Sequence, residues 1–282
     1  MQPLPRNVEK ALSSKPLNRP LRLGFLTGAG ISAESGIPTF RGPEGYWTVG
    51  SKVYHPMELA THAAFTSQPW DVWRWYLYRE AVCRQSPPNP GHNAITELAE
   101  QPLLNPVPLM TQNVDGLHRR AGFPITDLFE IHGHIAEMRC AERCSWERFA
   151  LPGLDLDPEA AKTIDDATLE RTLKCPLCGA KGRPHILWFD EYYEEALFRS
   201  DSALKAMDAV DLVVTVGTSA ATNLPVQTVQ RAVNRGAILI DINPGEESPF
   251  GQVAERTGGA WWKSPSADAL GRLKNWILEN AL

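Results

Sequence analysis

The chain reads as an α/β protein built on a parallel sheet, with a smaller zinc-binding segment inserted between its halves. Three observations predict this. Short apolar runs of strand length alternate with helical stretches, and each run empties into a loop of small residues. The first such run ends in Gly28-Ala29-Gly30, two glycines spaced by one residue. Four of the five cysteines fall as two close pairs in a stretch of different character in mid-chain.

Residues 1–20 are rich in proline and polar residues and are expected to form an arm or a leading helix. Residues 21–26 follow Pro20 and have the length of a buried strand. The turn behind them lacks Cβ atoms at Gly28 and Gly30, so backbone can approach a pyrophosphate, whose charge then sits at the N-terminus of the next helix. Ala33 stands where a dinucleotide fingerprint carries its third glycine, so the spacing alone is a weak nucleotide signal. The stretch continues through Pro38-Thr39-Phe40-Arg41 to Gly42.

Residues 67–79 read as a helix, with Ser67 near the cap and Pro69 in the first turn. Tyr76 and Arg79 are three apart and share a face. A guanidinium fork beside a phenol suits a carboxylate, because arginine can hold both oxygens. On spacing alone a bland alternative is favoured: a packing tyrosine, with the arginine paired to Glu80 or a neighbour. Cys83 reads as a buried packing thiol.

Residues 106–111 form a second, short strand leading into Thr111-Gln112-Asn113-Val114-Asp115-Gly116-Leu117-His118. Gln112, Asn113 and Asp115 offer amide donors and a carboxylate suited to a carboxamide and ribose hydroxyls. The same stretch could equally be an Asn/Asp-rich turn with a helix cap. Ile131-His132-Gly133-His134 poses a similar choice. A histidine in a loop could be a general base, and chemistry alone does not separate His132 from His134.

Cys140-x₃-Cys144 and Cys175-x₂-Cys178 suit one tetrahedral Zn²⁺. Four thiolates leave no open position, so the metal would be structural. Disulfides or unrelated buried thiols are the alternatives, and short spacing in a reducing compartment weighs against them. Asp155, Asp157, Glu159, Asp165 and Asp166 make the stretch between the pairs an acidic linker. Residues 139–183 therefore read as a small module held by metal rather than by its own core.

Toward the C-terminus, residues 210–216 end in Gly217-Thr218-Ser219, and residues 237–242 end in Asn243-Pro244-Gly245. Residues 224–234 read as a helix between them. Ligands of parallel sheets bind at the carboxyl ends of the strands, so the loops opening at Gly28, Gly217 and Asn243 should converge. A net charge of -5 argues against a broad nucleic-acid footprint. No run is long enough to span a membrane and no signal-peptide core is present, which makes a cytoplasmic location the expectation.

These pieces, taken together, resemble the sirtuins, the NAD-dependent protein-lysine deacylases. The matching segments are residues 28–42, residues 111–115, Ile131-His132-Gly133, both cysteine pairs, Gly217-Thr218-Ser219 and Asn243, in the family's order. The resemblance implies a Rossmann-like domain at 21–138 and 184–282, with a helical insertion at about 43–90 and a zinc-binding module at 139–183. It further implies that Gly28, Ala29 and Gly30 hold the NAD diphosphate, while Phe40 and Arg41 lie near the nicotinamide ribose. Gln112, Asn113 and Asp115 would orient that ribose and the carboxamide. Gly217, Thr218, Ser219, Asn243, Pro244 and Gly245 would surround the adenosine half, with a contact near Ala260. His132 matches the catalytic position. The acyl-lysine oxygen would attack the ribose carbon as nicotinamide leaves, and His132 would take a proton from a ribose hydroxyl. The products would be free lysine, nicotinamide and O-acyl-ADP-ribose.

Within the family a Tyr-x-x-Arg pair marks the class III enzymes, which remove succinyl and malonyl groups. Tyr76 and Arg79 match it, as do Thr39-Phe40-Arg41 and the run from Arg183 to Phe189. The expected partners are acyl-lysine proteins, with no membrane and no direct nucleic-acid binding. Cys140 and Cys144 are one residue further apart than the commoner spacing. Asp190 stands where the family usually has glycine, in a loop beside the bound peptide. Asp190, Glu191, Glu194 and Glu195 make that loop acidic, and it is expected to favour basic residues around the target lysine. Competing readings are an ADP-ribosyltransferase or NAD glycohydrolase on the same scaffold, or a zinc-ribbon binding module. The Tyr76–Arg79 pair weighs against the transferase, and the acidic balance against the ribbon.

Overall fold

Six parallel strands lie in the order Ala260–Trp262, Ile238–Ile242, Leu212–Val216, Leu23–Thr27, Leu109–Thr111, Leu128–Glu130. The computed structural model describes residues 3–14, 19–38, 47–49, 52–54 and 56–280. From Leu23–Thr27 the chain builds outward to one edge, then returns beside that first strand and builds to the other. Leu23 pairs with Leu212 and Thr27 with Val216, so the strand order reverses between these two neighbours. An open α/β sheet offers its ligand crevice at such a reversal, outside the carboxyl ends of the strands.

Side chains alternate across the sheet, and both faces are covered. Leu23, Phe25, Leu109, Leu212, Val214 and Ile240 pack on one face against Ile95, Leu98, Leu270, Leu273 and Ile277. These partners come from the helices Pro90–Ala99 and Ser266–Asn280. Leu26, Met110, Val213 and Leu239 pack on the other face, against Met207, Val229, Ala232 and Ala254. Burial on both faces is why the central strands read as continuous apolar runs rather than alternating ones. The leading helix is Arg6–Ser13. Among the described residues no helix is long and apolar enough to cross a membrane.

A second, antiparallel sheet has Gly133–Cys140 at its centre, flanked by Phe149–Ala150 and Gly182–Ile186. Gly133 has φ +91, and a Cβ there would stand 1.9 Å from the His185 carbonyl oxygen, so only glycine fits this crossing.

Two expectations change here. The acidic stretch between the cysteine pairs is not a plain linker but folds into the helices Pro158–Thr163 and Asp166–Thr172. Asp157 and Asp165 cap them by accepting the amides of Ala160 and Thr168 at 2.8 and 2.9 Å. Ala161, Leu169 and Leu173 then join Leu59, Phe65, Val72, Trp73 and Trp75 in one core, so the segment is not held by metal alone. The second change concerns Ser67, which closes the helix His62–Ser67 instead of capping the next one, Pro69–Gln85. Its hydroxyl donates to the Ala63 and Ala64 carbonyls, and Pro69 starts a new helix without it.

Candidate active site

At the strand reversal the Gly28 and Gly217 loops touch through backbone. The Gly28 amide donates to Val216 at 2.9 Å, and the Gly30 amide donates to the Gly217 carbonyl at 2.8 Å. A Cβ on Gly28 would stand 2.8 Å from the Gly217 oxygen, and one on Gly30 only 2.5 Å from the Gly217 Cα. Glycine is therefore required at both positions, and the result is a close backbone junction between the two loops. Asn243 joins it by donating from Nδ2 to the Thr218 carbonyl at 3.2 Å. The three loops thus converge as the strand pattern predicts. Ser219, Pro244 and Gly245 are exposed at the rim. Ala260 is not brought to this cluster, since it lies in the edge strand with its side chain in the apolar core. Phe40 and Arg41 lie outside the described residues.

The loop after Leu109–Thr111 closes one wall. Asn113 donates from Nδ2 to the Gly28 carbonyl and to Ser32 Oγ, both at 3.1 Å. Ser32 in turn donates to Asp115 Oδ2 at 2.7 Å, and the Leu117 amide donates to Asp115 Oδ1 at 2.9 Å. Burial raises the Asp115 carboxyl, while those two donors and the charges of Arg120 and Arg79 pull it back. Gln112 spans the crevice, donating to Thr218 Oγ1 at 2.8 Å and accepting from Thr222 Oγ1 at 3.1 Å.

His132 sits beside this network. Its Nδ1 lies 3.0 Å from the Gln112 carbonyl oxygen. A carbonyl only accepts, so Nδ1 carries the proton and Nε2 presents the lone pair of a neutral imidazole. Burial pushes its pKa down to about 4, against the pull of that carbonyl. The arrangement is that of a base held neutral, with its acceptor atom fixed. His134 is differently committed. The Ala136 amide donates to its Nδ1 at 3.2 Å, which turns Nε2 toward Glu130 at 3.9 Å.

Tyr76 is buried, and its hydroxyl accepts from the Trp188 indole Nε1 at 2.9 Å. Burial pushes the phenol pKa well up. Arg79 is half-buried with its guanidinium carbon 5.4 Å from the Trp75 ring centre. Its charge acts on both Tyr76 and Asp115. Tyr76 therefore ties its helix to the segment that begins at Trp188.

The acids of that acidic segment are all engaged. Asp190 accepts the His62 and Ala63 amides. Glu191 holds Arg183 through both guanidinium nitrogens, at 2.5 and 2.8 Å. Glu194 pairs with Arg143 at 2.6 Å. Glu195 accepts the amides of Asp201 and Ser202 at the start of the Ser200–Met207 helix. Each charge is offset by a cation or a helix N-terminus, so the loop has little left to attract basic flanking residues.

Cys140, Cys144, Cys175 and Cys178 place their sulfurs within 4.8 Å of one another. Cys140 faces Cys178 and Cys144 faces Cys175, each pair at 3.6 Å. A disulfide needs about 2.05 Å, whereas zinc–sulfur bonds of about 2.3 Å make a tetrahedron with edges of about 3.8 Å. The four thiols fit one structural zinc ion, which would bridge the turn after Gly133–Cys140 to the knuckle at Cys175.

Sequence reasoning missed three residues of the crevice. Ser32 was within reach, two positions past Gly30 in the glycine stretch. Tyr193 places its hydroxyl 2.9 Å from His132 Nε2, and Thr222 bonds Gln112 from the start of the Asn223–Asn234 helix. Neither belongs to a local motif, and only the fold brings them in.

Residues 28–223 match the Sir2 family. A relative from Leptospira interrogans, named NAD-dependent protein deacylase, is 37% identical over 260 residues, covering 92% of this chain and 94% of its own. One of the same name from Thermus thermophilus is 38% identical, covering 86% and 88%. A solved complex of a Sir2 homologue with NAD superposes with a TM-score of 0.75 at 32% identity, covering 93% of this chain and 91% of that one. A Sir2 structure with a p53 peptide and NAD+ gives 0.68 at 26% identity, covering 93% and 94%. With the family match spanning most of its length, and relatives alike nearly end to end, the chain belongs to the Sir2 family.

Proposed function

We propose that the protein is an NAD-dependent protein-lysine deacylase that prefers acyl groups ending in a carboxylate, succinyl and malonyl, over acetyl. The observation that carries the deacylase reading is His132: a neutral imidazole with its tautomer set by the Gln112 carbonyl, beside the glycine junction. NAD supplies the leaving group, nicotinamide, and the ADP-ribose that receives the acyl group. Around it, the backbone at Gly28, Ala29, Gly30 and Gly217 holds the diphosphate, beside the junction where Cβ atoms on Gly28 and Gly30 would collide with Gly217. Thr218, Ser219, Asn243, Pro244 and Gly245 border the adenosine half. Gln112, Asn113 and Asp115 orient the ribose and carboxamide, and His132 Nε2 takes a proton from a ribose hydroxyl. Zinc on the four cysteines holds the small sheet in shape and touches no substrate.

Tyr76 and Arg79 support the acyl preference. A carboxylate moved out of water needs a cation and donors, and the half-buried Arg79, whose charge is felt at both Tyr76 and Asp115, would supply them. The test is a panel of acetyl, malonyl, succinyl and glutaryl lysine peptides assayed with NAD, for the wild type and Arg79→Met. Acidic acyl groups should lead in the wild type. The variant should lose them, by about a hundredfold in kcat/KM, while acetyl turnover persists. Equal loss on all acyl groups would discard the receptor role.

A further inference from the structure

The atom of His132 that must accept the ribose proton already has a donor. Tyr193 Oη lies 2.9 Å from Nε2, and the two rings stack with centroids 6.0 Å apart and planes 26° from parallel. Because Nδ1 donates to Gln112, Nε2 keeps a single in-plane lone pair, and the Tyr193 hydroxyl donates to it. One lone pair makes one good hydrogen bond. A ribose hydroxyl and the phenol are therefore alternative donors to the same point.

We propose that Tyr193 is a positioning residue that holds the acceptor lone pair of His132 and yields it to the ribose hydroxyl of NAD. This rests on the deacylase reading above. Several features favour a swap of side chains over an opening of the loop. The segment around Tyr193 is anchored on both sides: the Phe189 amide donates to Ala60 at 3.0 Å, Asp190 holds the amides of His62 and Ala63, and Glu194 holds Arg143. The phenol is half-buried between these anchors, so its ring can turn while the backbone stays.

The phenol is only half-buried, so on leaving His132 its hydroxyl can be met by water, and no buried donor is left unpaired. Tyr193 does not itself carry the proton, because burial pushes its pKa up to about 12. Among the described residues, the groups acting on His132 are this phenol and the Gln112 carbonyl.

The variant Tyr193→Phe removes one oxygen and keeps the stacked ring. In the free protein, the His132 titration followed by NMR should move up by about half a unit to one unit, because a donor that favours the neutral ring is gone. ADP-ribose, measured by calorimetry without any acyl peptide, should bind about three- to tenfold tighter. KM for NAD should fall by a similar factor while kcat changes less than twofold, since the contact is already exchanged in the complex. In the wild type, adding ADP-ribose should abolish the NMR contact between Tyr193 and His132. The proposal is overturned if His132 titration and ADP-ribose affinity are unchanged in the variant, or if the contact survives in the wild-type complex. Tight ADP-ribose binding with no turnover of any acyl peptide would instead overturn the deacylase reading and leave this contact standing.

Discussion

The Asp190 carboxylate sits on the N-terminus of the His62–Ser67 helix, accepting the His62 amide at 2.7 Å and the Ala63 amide at 3.1 Å. It reaches across 128 residues of sequence to satisfy two donors that the helix cannot satisfy itself. The charge that makes the loop look acidic is thus consumed in fastening it to the helical part of the molecule. Asp190→Ala should lower stability by about 1 kcal/mol, the usual cost of a lost cap, as read from urea unfolding. The preference between peptides with basic and acidic residues flanking the lysine should stay within twofold. A marked swing in that preference would restore the loop as a charge reader.

Tyr76 has a structural duty besides its place in the proposed acyl pocket. Its hydroxyl is the acceptor for the buried Trp188 indole. Tyr76→Phe should cost about 1–3 kcal/mol, because a buried N–H is left without a partner. Thermal unfolding of this variant beside Arg79→Met separates the two roles. Arg79→Met should change acyl preference with less effect on stability.

The cysteine cluster should hold one zinc ion per chain, countable by elemental analysis. Cys140→Ser removes the ligand that ends the Gly133–Cys140 strand. Amide exchange should then accelerate across residues 133–186, while the six-stranded sheet keeps its protection, because its core is separate. Full protection of 133–186 without metal would show that the shared apolar core suffices.

Stability should fall steeply as the solution is acidified below about pH 6.5. Burial lowers five histidines, with His92, His132 and His134 at about 4, His185 at about 2 and His118 well below its ordinary value. The unfolded chain protonates them near 6.5 and the folded one does not, so unfolding takes up protons in this window. Each proton is worth about 1.4 kcal/mol per pH unit. Glu130 acts oppositely by one proton, since burial lifts its carboxyl to about 7 against the pull of Arg119. The net loss between pH 7 and pH 5 should reach several kcal/mol, measurable as a falling urea midpoint. A flat midpoint over that range would mean these histidines are protonated in the fold.

Sequence by itself determined the parts of this protein that rest on local rules. The unbroken apolar runs before Gly28, Gly217 and Asn243 specified buried parallel strands. The cysteine spacing specified a four-sulfur cluster, and the glycines at 28 and 30 specified a tight turn, though only the fold showed that Gly217 is what they approach. Those features depend on residues a few positions apart, so they can be read along the chain. The tertiary structure alone decided what distant residues do to one another. Tyr193 meets His132 across 61 residues, Asp190 reaches His62, and Thr222 reaches Gln112 across 110. It also sorted His132 from His134: a carbonyl beside one and an amide beside the other fix opposite tautomers in two rings that look alike in sequence. Pairings of that kind depend on where the sheet brings its loops, and no pattern of spacing along the chain records them.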